Sequence, residues 1–410
     1  KNQEEKKKLA IKITRYKEEI ETLKKDLSLG DYVKGDSFTF NDINVEQVKK
    51  SLKDNEVILF YLTYHNDLYL GYLSNDNYRI IYTNENGEVV KLIKKLRQSL
   101  KYENNSLSNF DLNISNQLYE KLISPFKNQL KTKDRLIIIP HGPLLSVPFE
   151  IFTGPWGKAK NLSEANWLIK DFDISYYPSI SSYYLMQESK KKEFNSYFAG
   201  FGDPKLSSQD KKITASEVDI SDLFLRGGIA DVKKVKQLGE LPKTGDEIKK
   251  ISGFFYQKDI FLGDKFNEKI IKKNDLSKYS VISFATHGII ANEIQGLKEP
   301  GLIATPPQKG TLDNDGVLTA SEIKKLNFDS ELIILSACNT AAPDGTSSAE
   351  GLSGIASSFF YAGARSLLVS HWDVEDESTV NLMTGMFDNL SSTKNITSAL
   401  RETKLKMIQD

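Results

Sequence analysis

The chain has 410 residues but only one cysteine, Cys338, and four histidines, His65, His141, His287 and His371. Cys338 lies near the end of "ELIILSACNT" (Glu331 to Thr340), and His287 near the end of "ISFATHGI" (Ile282 to Ile289). Both runs are apolar enough for strands covered on both faces, and both end in a reactive side chain. A free thiol, with a pKa of roughly 8.5, is mostly protonated at neutral pH, and the thiolate is the nucleophile. An imidazole within reach takes that proton and returns it to a departing amine. If the runs are neighbouring strands of a parallel sheet, their ends lie on one edge and the two side chains meet. The backbone N–H groups of Gly288 and Cys338 would then serve a developing oxyanion. Taken singly, each residue has a structural alternative: a hydrogen-bonded histidine, or a cysteine acting as a small buried hydrophobe.

Other chemistries find little support. "GFGDPK" starts like a dinucleotide fingerprint but has Lys205 where the third glycine should pack helix on strand, and the chain lacks a Gly-x-x-x-x-Gly-Lys-Ser/Thr phosphate loop. "DNDG" (Asp313 to Gly316) resembles the start of a calcium loop, yet its twelfth position is Lys324 rather than a bidentate glutamate, so a turn is expected. The histidines have no metal-ligand spacing, and neither a metal nor a cofactor is expected. A lone cysteine rules out an internal disulfide and suits a reducing compartment. Fifty-five basic residues balance 55 acidic ones, so no net field draws the chain to nucleic acid or an anionic membrane. With no run near the roughly 18 apolar residues of a membrane span and no signal peptide, a soluble cytoplasmic protein is expected.

The elements that must position the pair follow from pattern. Leu9, Ile13, Tyr16, Ile20, Leu23 and Leu27 form one helical stripe, closed by Gly30. A coiled coil, the last helix of an upstream repeat, or a helix lying on its own domain all fit it; starting at Lys1, the sequence reads as part of a longer chain. "VILFYLTYHNDLYLGYLS" and "YRIIYT", between Val57 and Thr83 and broken by "HND" and "NDN", read as antiparallel strands with tight turns. Helices near 90–100 and 118–130 and strands "RLIIIPHG" and "DFDISYYPS" complete a small α/β unit. From Tyr197, "YFAGFG", "KDIFLG", "SVISFATHG", "ELIILSACN" and "RSLLVSHWD" alternate with helical stretches at 245–255, 267–274, 320–326 and 351–362. A mostly parallel sheet with crossover helices is expected.

"FATHG" and "LSACNTA", about 50 residues apart in the order His then Cys, resemble the caspase-like clan of cysteine proteases. More closely, the chain resembles the CHAT family, caspase-like proteases found beside TPR repeats and related to separase. The resemblance also rests on "IPHGPLLSVPFEIF" (Ile139 to Phe152), "LPKTGDEI" (Leu241 to Ile248), "DGVLTASEI" (Asp315 to Ile323) and "AEGLSGIASSFFYAGARSLLVSHWDVED" (Ala349 to Asp376). It implies an N-terminal helix over 1–30 that ends a TPR or other helical region. A degenerate caspase-like α/β unit over 31–195 and a catalytic caspase-like domain over 196–410 would follow. His141 ends a strand of the first unit without a cysteine partner. The implied activity is cleavage of a protein substrate, with Cys338 as nucleophile and His287 as base and acid, held latent until an upstream sensor or regulatory protein acts, in a bacterial defence setting. A catalytically silent scaffold is the alternative, and the pair alone also fits another thiol-dependent acyl transferase or hydrolase.

"SHWDVEDES" (Ser370 to Ser378) follows another apolar run, placing Trp372, Asp373 and Asp376 near the same sheet edge. By resemblance to separase, Asp376, with Asp373 second, would receive a basic side chain whose stem lies on Trp372. The plainer reading is that Asp373 caps a helix beginning near Asp376.

Overall fold

In the computed structural model the described residues are 44–100, 102–103, 106–107, 110–154, 162–188, 197–206, 230–289, 299–336, 353–371, 376–393 and 395–409. The chain divides into two compact units, Lys1–Val45 and Glu46–Asp410, and the elements below belong to the second. The helical stripe from Leu9 to Leu27 lies outside the described residues.

Strands β1 (Glu56–Tyr64), β2 (Asp67–Leu73) and β3 (Tyr78–Thr83) form an antiparallel meander, followed by a short hairpin, β4 (Tyr102–Glu103) and β5 (Ser106–Leu107). Strands β6 (Arg135–Ile139) and β7 (Asp173–Tyr176) join β1 in parallel, giving the sheet order β3-β2-β1-β6-β7. The first run divides into β1 and β2 at "HND", as expected, where His65, at φ 52°, turns the chain back. One sheet face is sealed by helices Asn86–Gln98 and Leu112–Leu122, which bring Val89, Leu92, Ile93, Leu96, Leu118 and Leu122 against Val57, Leu59, Leu70 and Leu136. On the meander's other face Leu62, Tyr64, Tyr78, Ile80 and Tyr82 are exposed, while Ile58 and Leu73 are buried.

The second sheet is parallel throughout. It contains β8 (Phe198–Gly202), β9 (Lys258–Leu262), β10 (Val281–Ala285), β14 (Leu332–Ser336) and β15 (Leu367–Val369), in the order β15-β14-β10-β8-β9. Its middle strands lack polar alternation because both faces are covered. Phe201, Ile282, Phe284, Ile333 and Leu335 pack on Phe266, Ile323 and Phe359 on one side. Phe198, Val281, Leu332 and Ile334 pack on Ile248, Ile251, Met383 and Phe387 on the other. Helices Pro242–Ser252, Ser353–Tyr361, Asp376–Thr393 and Ile396–Gln409 supply much of this cover. Between β10 and β14 the chain builds a small antiparallel sheet of β11 (Gly288–Ile289), β12 (Gly301–Ile303) and β13 (Val317–Thr319).

The glycines of "GFGDPK" serve this packing. A Cβ on Gly200 would lie 2.3 Å from Ile248 Cγ2, so its absence lets helix Pro242–Ser252 approach β8. "DNDG" is a turn, as expected, with Gly316 at φ +99°.

Candidate active site

β8 is followed on one side by β9 and on the other by β10, so the chain reverses direction of growth between β8 and β10. Crevices for ligands in open α/β sheets form outside the carboxyl ends of strands at such a point. Asp203 leaves the sheet there, one residue past Gly202, and His287 leaves it two residues past Ala285, with Gly202 and Ala285 paired.

His287 is buried, at 8% exposure. Its backbone carbonyl accepts from Ile303 N–H at 2.9 Å, tying it to β12. Its Nε2 lies 2.6 Å from the Gly239 carbonyl oxygen. A carbonyl only accepts, so the partner assigns the hydrogen to Nε2 and leaves the lone pair on Nδ1. The ring is therefore held as one tautomer, with Nδ1 as the nitrogen that accepts a proton. Thr286, just before it, is tied at both ends: its N–H donates to the Ser336 carbonyl at 3.1 Å and its hydroxyl to the Ile303 carbonyl at 2.6 Å.

Gly288 pairs with Leu302 across β11 and β12. The Ile303 N–H to His287 carbonyl bond brackets that pair, which makes it the non-hydrogen-bonded kind, so the Gly288 N–H points away from β12. Among the described residues β11 is the edge strand of its sheet, and that N–H is on the side away from β12.

Ala285 of β10 pairs with Ser336 of β14, the last described residue before Cys338. The Ser336 hydroxyl donates to Glu247 Oε1 at 2.5 Å, and Glu247 is itself buried. Cys338, Trp372 and Asp373 lie outside the described residues, and Asp376 is described only as the first residue of helix Asp376–Thr393. The structure thus gives geometry to His287 and Gly288 of the residues proposed from sequence.

Four groups at the site have roles that the sequence did not disclose. Glu247 and Thr244 belong to "LPKTGDEI", which forms helix Pro242–Ser252 beneath the crevice. The Thr244 hydroxyl accepts from Asp203 N–H at 2.9 Å and donates to the Leu241 carbonyl at 2.6 Å. Asp203 has φ 52°, and burial pushes its carboxyl above the usual range, with Glu240 and Asp246 adding to the rise and Lys249 opposing it. The fourth group, the Gly239 carbonyl, has no side chain to announce it.

His141 and His371 lie elsewhere, at the ends of β6 and β15. His141 follows β6, and its Nδ1 accepts from Thr63 N–H at 3.1 Å, a structural tie between β6 and β1. His371 follows β15 and packs against Tyr176 of the first sheet, with ring centroids 6.4 Å apart. Among the described residues no group of three His, Cys, Asp or Glu is placed to hold a metal ion. No described helix is long and apolar enough to cross a membrane.

The model of the CHAT domain matches residues 112–410, more than half of the chain. The chain belongs to the CHAT-domain family. This family is caspase-like and protease-related, and the all-parallel five-stranded sheet with flanking helices agrees with that fold. The CHAT match spans both β6, with His141, and β10, with His287. No curated protein matches the chain.

Proposed function

We propose that this CHAT protein is a cysteine endopeptidase with Cys338 as nucleophile and His287 as base and acid. The register of β10 and β14 carries the reading. Ala285 is opposite Ser336; His287 follows the one by two residues, and Cys338 follows the other by two. Successive Cα atoms are 3.8 Å apart, so Cys338 Cα lies within about 7.6 Å of Ser336 Cα. The orientation of His287, donating from Nε2 to Gly239 and keeping Nδ1 as acceptor, suits a base.

In this mechanism Nδ1 takes the thiol proton and the thiolate attacks the scissile carbonyl carbon. The oxyanion forms against the Gly288 N–H, which faces away from β12, and the Cys338 N–H. Collapse breaks the C–N bond as the imidazolium protonates the leaving amine. Water then attacks the thioester, giving up a proton to His287, and the acid departs as the thiol re-forms.

The substrate is a protein, cut after a basic residue bound by Asp376 and Asp373 with its stem on Trp372. The first sheet, which carries His141, is a degenerate caspase-like unit. We place the protein in the bacterial cytoplasm, latent until an upstream TPR-type sensor or a regulatory protein acts.

A labelled iodoacetamide probe tests the dyad. Faster modification of Cys338 in the native protein than in the urea-denatured chain, lost in His287→Ala, supports it. A native thiol no more reactive than the denatured one overturns it.

A further inference from the structure

The Gly239 carbonyl, which fixes the tautomer of His287, belongs to a strap, residues 230–241, that includes the short helix Val232–Val235 and packs on the small sheet beside the site. A carbonyl in a strap is only as well placed as the strap's attachments. Three hold it. Val235 and Leu238 are buried with Ala230 against Ile289 of β11, Ile303 of β12 and Val317 of β13. At one end Ala230 N–H donates to Asp315 Oδ2 at 2.6 Å. At the other, the Leu241 carbonyl accepts from the Thr244 hydroxyl.

Asp315 is built to be immobile. It is buried, and its second oxygen, Oδ1, accepts from Val317 N–H at 3.0 Å. Its own N–H and that of Gly316 donate to Glu268 Oε1, each at 2.7 Å. Glu268 is fully buried and bound to Lys272 Nζ at 2.8 Å. Lys272 reaches Glu322 Oε1 and the Asp313 carbonyl, both at 2.7 Å. The turn closes only with glycine at position 316, where a Cβ would lie 2.7 Å from Pro306 Cβ. This concentration of buried charge is costly for a surface turn, and a buried polar group retained with all its partners specifies one arrangement.

We propose that Asp315 is a positioning residue for His287: by pinning Ala230 it holds the strap so that the Gly239 carbonyl keeps the imidazole in its Nε2–H form. The proposal rests on the dyad reading for its catalytic meaning, but the tautomer is a property of the resting protein. As a carboxylate, Asp315 accepts from Ala230 and Val317 with separate oxygens. The substitution Asp315→Asn leaves one acceptor oxygen and must turn an NH2 toward one of the two N–H groups.

The experiment is nitrogen-15 NMR of histidine-labelled protein, with His287→Ala assigning the signal, in wild type, Asp315→Asn and Thr244→Val. Wild type should show a single Nε2–H tautomer at His287. Both variants should show a tautomer mixture there, with His141 unchanged. The rate of Cys338 alkylation should fall by about tenfold beyond any loss of folded protein, the scale found when an orienting partner of a functional histidine is removed. Thr244→Val removes one of the two bonds that the Leu241 carbonyl accepts, the Thr244 N–H at 3.1 Å remaining, and so loosens the strap at its other end; it decides the matter if Asp315→Asn fails to fold. A single Nε2–H tautomer in the variants overturns the proposal. Altered tautomers with unaltered Cys338 reactivity would instead leave the strap's role standing and remove the dyad.

Discussion

Ala285 of β10 lies opposite Ser336 of β14 in parallel register, and Thr286 N–H carries the ladder one step further to the Ser336 carbonyl. The two chains therefore leave the sheet side by side, toward His287 and Cys338 respectively. Cys338→Ala is expected to abolish peptide cleavage while leaving the unfolding transition nearly unchanged. His287→Ala should reduce turnover by about a hundred- to ten-thousandfold, the usual worth of a general base. Wild-type turnover in either variant, measured with a reporter peptide, would return both residues to structural roles.

Ser336 should matter for stability as well as for direction. Its hydroxyl donates to the buried Glu247 carboxyl, and Ser336→Ala deprives that group of a partner. The expected cost is about 1–3 kcal/mol, read from urea unfolding midpoints. A midpoint equal to wild type would show that solvent replaces the hydroxyl.

His141 supplies the internal control. Its Nδ1 is taken by Thr63, so His141→Ala should destabilise the first sheet without changing the alkylation rate of Cys338. Slower alkylation in the folded variant would give the first sheet a part in the chemistry.

Two buried groups should give opposite pH slopes. Burial raises Glu268 to about 7, against the offset from Lys272. Burial lowers His371 to about 4, with Arg97 and Lys404 acting the same way and Glu150 against them. Glu268 binds its proton more tightly in the folded protein, so its contribution is fully present below about 4.5 and is lost as pH rises through about 7. His371 binds its proton less tightly when folded, so its contribution is present above about 6.5 and is lost as pH falls toward about 4. Relative to wild type, Glu268→Gln should gain stability from pH 4.5 to 7, and His371→Asn should lose it over the same range. Difference curves from urea titrations at fixed pH check the signs, and two parallel curves would contradict them.

Specificity is tested by cleavage of a peptide library by wild type and Asp376→Ala. Preference for Lys or Arg before the scissile bond, weakened in the variant, is the expected result. Asp203, one residue past Gly202 of β8, is an acid at the edge where His287 leaves the sheet, and Asp203→Asn belongs in the same comparison. Unchanged cleavage after apolar residues would exclude Asp376 from the pocket.

The five parallel strands were legible in sequence because burial on both faces leaves continuous apolar runs such as "VISFA" and "LIILS". The meander was legible by its aromatic and β-branched residues, and its turns by the polar breaks "HND" and "NDN" that divide β1 from β2 and β2 from β3. Helix Leu112–Leu122 begins earlier than its apolar pattern suggests because Asp111 caps it through Asn113 and Ile114 N–H. The three short strands β11, β12 and β13 were not legible, since two or three residues cannot show a period. The pairing of His287 with Gly239 was hidden for another reason: its acceptor is main chain, which every residue carries. "LPKTGDEI" and "DGVLTASEI" stood out as motifs, but only their folded contacts show that one braces Ser336 and the other braces the strap.

The neighbours β10 and β14 also constrain how the molecule comes into being. They are adjacent in space, yet the stretch between Ala285 and Leu332 must first lay down β11, β12, β13 and helix Ala320–Ile323. Parallel pairing of distant segments raises contact order and comes late in folding, because loop closure is costly before the contacts reward it. During synthesis the segment bearing His287 emerges well before the one bearing Cys338, when β8 is already made but β14 is not. Any chemistry that needs both ends therefore waits until β14 has paired with β10.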